Sequence, residues 1–177
     1  MDRILVTTFP LVFDEHGRIL LRNACATTDL SHIVLEEGDT EELFISRYLK
    51  TYFNPDERLH AKVINKSLLP YEGNLRDAWS NPADDTSPPF IDMQKAHTLK
   101  MAEYRRRRLI VLADLDIAYQ RADEQGDTNA KTLIAVEKQK LRDMPVNSLP
   151  IMTAITEPEA LDNYDPVLDI VINMPVF

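Results

Sequence analysis

The sequence contains little glycine, a single cysteine and no long hydrophobic run. Its 177 residues include four glycines against eleven prolines, which argues against Gly-rich phosphate loops and favours rigid turns. The one cysteine, Cys25, excludes an intramolecular disulfide framework and suits a reducing compartment. No apolar stretch approaches the ~20 residues needed to span a bilayer, and no signal peptide is recognisable. We therefore expect a chain that is cytoplasmic at synthesis.

The sequence also lacks the motifs of the common catalytic and metal sites. No two of its four histidines are three or four positions apart, so no helix presents a two-histidine metal face. Neither a Gly-x-Ser-x-Gly elbow nor a P-loop occurs. We predict a protein that is not an enzyme, with no catalytic residue, no cofactor and no metal.

The charge of the chain is strongly negative, with one local exception. A formal net charge of −9 opposes binding to nucleic acid and to anionic lipid, so neither is expected as a partner. The exception is the run Arg105 to Arg108, which occupies all faces of a helix and has Glu103 and Asp114 nearby. We predict a solvated or ion-paired surface there, with an arginine-mediated protein interface and a nucleic-acid site as the alternatives.

Residues 1–80 predict a small α+β domain. Short runs rich in β-branched and aromatic residues are separated by turn residues such as Gly17, a pattern typical of strands. A helix is predicted to begin at Asp39 or Thr40 and to end at Asn54-Pro55. The strands are predicted at residues 3–13, 18–22, 32–35 and 60–66.

A proline-rich linker and a helical hairpin are predicted to follow. Residues 81–91 contain three prolines, which favour an extended, semi-rigid chain. The hairpin, residues 92–146, consists of one helix of about 50 Å and a second that Thr128 can cap and Pro145 ends. Because the turn at Gly126 is short, the two helices should be antiparallel.

The apolar side chains of the hairpin recur at three- and four-residue steps, as one buried face requires. They are Met101, Tyr104, Val111, Leu115, Leu133, Ile134, Leu141 and Met144. The second helix is predicted to be about half as long as the first, which leaves apolar surface for a partner.

Residues 147–177 predict a short helix after Thr156 and an apolar tail. The tail is rich in β-branched residues from Val167 onward. We expect it either to add a strand to the N-terminal sheet or to dock on another chain by strand addition.

Parts of the sequence resemble a module of phage and prophage tail genes. The similar segments are residues 112–122 (LADLDIAYQRA), 126–128 (GDT) and 137–145 (EKQKLRDMP), preceded by residues 76–79 (RDAW), Asp92-Met93 and Lys95-Ala96. Proteins that carry this module are identified as tail assembly chaperones or tail-fibre assembly proteins. The resemblance covers roughly residues 75–165, implies binding to a tail or fibre protein, and implies no catalytic residues.

We therefore expect a phage tail-associated protein that acts by protein–protein interaction, as a tail or tail-fibre assembly chaperone in the host cytoplasm. The alternative is a structural virion subunit, a tail or fibre connector or a decoration protein, that forms homo-oligomers. The residues expected to bind the partner are Trp79, Tyr104, Arg105, Arg108, Tyr119, Ile170, Ile172 and Phe177.

Overall fold

A computed structural model shows an α+β fold with a long C-terminal helical pair, which confirms the predicted class. The chain forms two compact units, Met1–Ala96 and His97–Phe177. The residues that the structure describes are 3–8, 25–30, 35, 37–52, 61–71, 73–82, 84 and 87–172.

The first unit is built on a three-stranded antiparallel sheet. Strand β1 (Arg3–Thr8) lies between β2 (Cys25–Asp29) and β3 (Ala61–Asn65). Every residue of β1 after Arg3 is buried, as expected of a central strand covered on both faces. The strand predicted over residues 60–66 is confirmed, whereas β2 was not predicted. The predictions at residues 9–22 and 32–34 lie outside the described residues.

A core cluster of this unit lies on one face of the sheet. Ile4 and Val6 of β1 and Ile64 of β3 alternate along their strands and pack with Trp79. The indole N–H of Trp79 donates to the carbonyl of Tyr71 at 3.3 Å. Burying the tryptophan therefore leaves its polar group satisfied.

Helix α1 (Glu41–Tyr52) begins where the sequence predicts. The hydroxyl of Thr40 accepts from the amide of Leu43 at 3.3 Å, and two glutamates occupy the first turn, where the helix dipole favours them. The predicted apolar stripe is only partly covered, since no residue of α1 is fully buried.

The prediction of a linker over residues 81–91 is corrected by the structure. The short strand β4 (Trp79–Ser80) pairs antiparallel with β5 (Phe90–Ile91). Between them, the Asn81 amide donates to the carbonyl of Val6 at 3.3 Å, and Lys62 donates to the carbonyl of Asp84 at 2.7 Å. Asn81 and Asp84 are thus hydrogen-bonded to β1 and β3, contacts that a free linker would not make.

Helix α2 (Met93–Glu124) matches the predicted long helix closely. The carboxylate of Asp92 accepts from the amide of Lys95 at 3.0 Å, which makes Asp92 the expected cap. The buried ammonium of Lys95 donates to the carbonyl of Trp79 at 3.1 Å. The start of α2 is therefore held by the core of the first unit.

The turn between α2 and α3 (Thr128–Ala154) depends on Gly126. Its φ is +70°, and the amide of Asp127 donates back to the carbonyl of Ala122 at 2.8 Å, a left-handed helix ending that favours glycine. The side chain of Asp127 then accepts from Ala130 N at 2.9 Å. The cap of α3 is therefore Asp127, not Thr128 as predicted.

The predicted end of the second helix at Pro145 is wrong. Helix α3 continues through Pro145 and Pro150 to Ala154, for 27 residues. Proline removes a backbone donor and so leaves one carbonyl without its intrahelical partner. For Pro145 this carbonyl belongs to Leu141, and Arg108 donates to it from α2 at 3.4 Å. The two helices are consequently closer in length than expected.

Residues 167–172 are helical where a strand was predicted, and the rest of the predicted strand, residues 173–177, lies outside the described residues. Helix α4 covers Pro158–Asn163, close to the short helix predicted there, and helix α5 covers Pro166–Ile172. The carboxylate of Asp165 accepts from the amide of Leu168 at 2.9 Å. An N-terminal aspartate followed by proline is a strong helix start, and it outweighs the β-branched residues that favoured a strand.

Candidate partner-binding surface

The core of the second unit is formed by the two long helices and closed by α5. Leu115 and Ala122 of α2 and Ile134 and Leu141 of α3 make a buried cluster, and Ile170 of α5 packs against it. Part of the apolar surface that was expected to need another polypeptide is thus covered by the C-terminal segment of the same chain. This corrects the expectation that all of this surface is left for a partner.

One face of α2 holds the C-terminal segment through polar contacts. We call its four side chains, His97, Lys100, Tyr104 and Arg107, the polar ladder, because they follow one another at three- and four-residue steps. They contact the carbonyl of Ile155 at 3.0 Å, the carboxylate of Asp162 at 2.9 Å, the carbonyl of Tyr164, and the carboxylate of Asp165 at 2.6 Å.

The electrostatic effect of this packing is clearest at Tyr104. Desolvation by burial raises the pKa of the Tyr104 phenol, and the nearby carboxylate of Asp165 raises it further. Both effects keep the hydroxyl protonated, and the hydroxyl donates to the carbonyl of Tyr164. The phenol therefore acts as a structural donor.

Between α3 and α5 lies an open groove of about 520 Å³, which we call the α3–α5 groove. Its apolar lining includes Val136, Met144 and Ile170, and its polar lining includes Lys140 and Asp169. Met144 is buried, whereas 48% of Val136 is exposed. The groove therefore combines exposed apolar surface with charged side chains.

A smaller groove of about 260 Å³ lies on the other side of α5, against α2. Ile110 of α2 and Leu168 and Val171 of α5 line it and are exposed, and Arg107 stands beside them. Helix α5 therefore has an open apolar groove along each flank.

The predicted partner-binding residues are not brought together. Trp79 and Tyr104 are each 1% exposed, so the expectation that they contact a partner is corrected: both are core residues of their own units. Ile170 packs against the core of the second unit. The side chain of Ile172 and all of Phe177 lie outside the described residues.

The remaining predicted residues lie on the hairpin. Tyr119 is half-buried, with the ammonium groups of Lys131 and Lys138 at 5.5 and 5.2 Å from its ring centre. Arg105 is exposed. Arg108 reaches across to the carbonyls of Leu141 and Arg142.

The arginine run does not form a single basic face. Arg107 is held by Asp165 and Arg108 by the backbone of α3, so Arg105 and Arg106 are the two that remain exposed. Patches that bind nucleic acid concentrate their charges on one accessible surface. Two of the four arginines make contacts within the chain and so do not contribute to such a surface.

The sequence reasoning missed the groove residues Val136, Lys140 and Asp169. A signal for them was present, because the buried positions Leu141, Met144, Ser148 and Met152 keep the helical spacing across Pro145. Following that spacing extends the second helix and creates the face on which α5 lies.

Two kinds of site are absent from the described part of the chain. Within the described ranges, no group of three or more His, Cys, Asp or Glu side chains is placed to hold a metal ion. Nor does any helix among the described residues combine the length and apolar character that crossing a membrane requires.

No protein-family model, no curated protein and no solved structure matches the chain.

Proposed function

We propose that this chain is a phage tail-associated protein that acts by protein–protein interaction, as a tail or tail-fibre assembly chaperone without catalytic activity. The observation that carries the proposal is the α3–α5 groove, an open groove on the surface of a helical unit whose lining combines apolar residues with the charged Lys140 and Asp169. The resemblance of residues 75–165 to tail assembly proteins supplies the class of partner.

The lining of the groove defines the chemistry of the segment that fits it. Val136 offers exposed apolar surface, and burying such surface contributes about 25 cal/mol per Å² before the costs of association. Lys140 and Asp169 stand among the lining residues and carry opposite charges. We infer that the ligand is an amphipathic segment of a tail or fibre protein, with apolar side chains facing the groove and charges fixing its register.

The proposal is tested by co-expression with the neighbouring tail and fibre proteins, followed by affinity recovery of the complex. Val136→Asp places a charge in the groove and is expected to lower recovery of the bound tail protein by about tenfold or more. Val146→Asp is the matched control, since Val146 lies on the same helix, is 75% exposed and is not among the groove residues. Equal recovery with both variants, or no tail protein recovered at all, contradicts the proposal.

The structural virion subunit stays as the alternative function. It is distinguished by mass spectrometry of purified particles, because a chaperone leaves the finished assembly and a subunit remains in stoichiometric amount. A nucleic-acid function is the less favoured alternative. It requires salt-dependent DNA affinity that is lost when Arg105 and Arg106, the two exposed arginines, become glutamine.

A further inference from the structure

The side of α2 that faces away from the core carries an ordered row of exposed residues. With about 100° between successive positions of a helix, this row is the face opposite the buried Tyr104, Leu115 and Ala122. Ile110 is 60% exposed and Ile117 49%. We call the row the outer row, and its members are Arg106, Ile110, Ala113, Ile117, Gln120 and Glu124, all exposed.

The outer row has opposite charges at its two ends, and between them lie Ile110, Ala113, Ile117 and Gln120. Arg106 and Glu124 are separated by about five helical turns, so their side chains leave the helix in the same direction. Among the described residues, neither side chain forms an ion pair within the chain. The row therefore has three apolar residues and one glutamine between an unused cation at one end and an unused anion at the other.

We infer that the outer row binds the outer row of a second copy of this chain, with the two α2 helices antiparallel. A two-fold axis near the middle of the row sets Arg106 of each copy against Glu124 of the other. It also sets the small Ala113 of each copy opposite Ile117 of the other, which allows close approach of the two helices. Such a contact is isologous, because each copy contributes the same surface.

The order of the charges favours a second copy over other occupants. A parallel arrangement would set Arg106 against Arg106 and Glu124 against Glu124, which is unfavourable at both ends. Nucleic acid would be repelled by Glu124 and by the neighbouring Asp123. An unrelated protein would need the reverse charge order at the same spacing, which the antiparallel copy already has.

The size of the row sets the expected strength of association. From Arg106 to Glu124 the helix is about 27 Å long, so one helix face per copy gives an interface at the small end of the known range. Leu109 beside the row is 61% exposed and enlarges it. We expect a reversible dimer with a dissociation constant on the order of 10 µM.

The inference is tested on the purified full-length chain by sedimentation velocity over about 1 to 300 µM. Wild-type protein is expected to shift from monomer to dimer across this range. Ile117→Asp is expected to weaken the dimer by about tenfold or more, whereas Val146→Asp, on an exposed position of α3, leaves it unchanged. A chain that stays monomeric throughout, or a dimer that survives Ile117→Asp, overturns the inference.

Charge reversal tests the antiparallel register without touching the apolar middle. Arg106→Glu alone and Glu124→Arg alone each create two like-charge contacts per dimer and should weaken it by about fivefold to tenfold. The double reversal restores opposite charges and should return the dissociation constant to within about threefold of wild type. Single reversals without effect, or a double reversal that fails to recover, overturn the register.

This inference does not rest on the proposed function, since it concerns a different face of the helical unit. Its experiment contains no tail protein, and the groove experiment scores recovery of a tail protein at the α3–α5 groove. Failure of one therefore leaves the other standing.

Discussion

Arg108 donates a hydrogen bond from α2 to the carbonyl oxygen of Leu141 in α3, at 3.4 Å. Leu141 is four residues before Pro145, so its carbonyl is the one whose intrahelical donor the proline ring has replaced. The same guanidinium group also donates to the carbonyl of Arg142 at 3.2 Å. One side chain therefore satisfies the backbone at the place where the helix would otherwise end.

The first prediction is that Arg108 and Pro145 are energetically coupled. Arg108→Met should lower the free energy of unfolding by about 1–3 kcal/mol, because the partly buried carbonyl of Leu141 loses its donor. In a Pro145→Ala background the restored backbone N–H supplies a donor, so the same substitution should cost about 1 kcal/mol less.

This coupling is measured by urea unfolding of the four proteins of the double-mutant cycle, followed by helical circular dichroism. Arg105→Met is the control, since Arg105 is exposed on the same helix and should change the unfolding free energy by no more than about 0.5 kcal/mol. Strictly additive effects in the cycle would show that Arg108 does not act through the proline.

The second prediction concerns the ion pair between Lys100 and Asp162. The ammonium and carboxylate are 2.9 Å apart, and their side chains are 8% and 6% exposed. Asp162→Asn leaves the buried lysine without its neutralising charge and should lower the free energy of unfolding by about 3 kcal/mol.

The matched control for this pair is Glu103→Gln. Glu103 lies 3.8 Å from the same lysine, but its side chain is 39% exposed, so its loss should cost under about 0.5 kcal/mol. Thermal or urea unfolding of both variants decides the matter. Equal losses in the two variants would assign the stability to the summed charge around Lys100 and not to the buried pair.

These contacts show how far the sequence alone predicts this fold. Local signals were sufficient for α1 and α2, where Thr40 and Asp92 cap the helices in the expected way. The end of α3 was mispredicted because the donor that replaces the missing N–H comes from Arg108. Arg108 lies on the other helix, 33 residues before Leu141 in the sequence. Helical spacing predicts which residues face inward but not which cross-helix contact satisfies a proline break.

The C-terminal segment was mispredicted for a local reason. The β-branched residues of α5 favoured a strand, yet Asp165 and Pro166 immediately before them form a helix start. The α3–α5 groove depends on both of these unpredicted features, because it requires α3 to continue past Pro145 and α5 to be helical. The sequence alone therefore did not predict the groove.

The third prediction follows from the raised pKa of Tyr104. A phenol that holds its proton more tightly in the folded state contributes stability that is complete below the unfolded pKa of about 10. That contribution is lost as the pH rises above 10, since the unfolded chain then releases a proton that the folded chain keeps. Tyr104→Phe should lower stability at neutral pH by about 1 kcal/mol and remove this alkaline loss.

The measurement is the melting temperature of wild type and variant between about pH 8 and 11. The two curves should converge as the pH rises, because only the wild type has a Tyr104 proton to lose. Tyr52→Phe, at a position 68% exposed, should run parallel to wild type. Parallel curves for Tyr104→Phe would mean that its phenol does not titrate differently on folding.

The fourth prediction concerns the turn at Gly126. Its φ is +70°, and a Cβ built there meets no atom within 4 Å. The cost of Gly126→Ala is therefore backbone strain alone, about 1 kcal/mol. Gly126→Asn should cost less, since asparagine tolerates the left-handed region better.

Both variants at Gly126 are compared by urea unfolding. Asp127→Ala provides a reference on the next residue, because loss of the α3 cap should cost about 1 kcal/mol, while Thr128→Ala should cost little. An asparagine variant no better than alanine would indicate that the turn is limited by something other than φ.

The polar ladder has a consequence for the binding that we propose at the α3–α5 groove. His97, Lys100, Tyr104 and Arg107 hold residues 155–165 in place, and α5 follows directly as one wall of the α3–α5 groove. A segment bound in that groove needs α5 docked, so each bound molecule also resists detachment of the C-terminal helices. Occupancy of the α3–α5 groove and local unfolding of the C-terminal helices would thus be linked. Binding at the groove should then slow amide exchange in residues 155–165, without a direct contact between them and the bound segment.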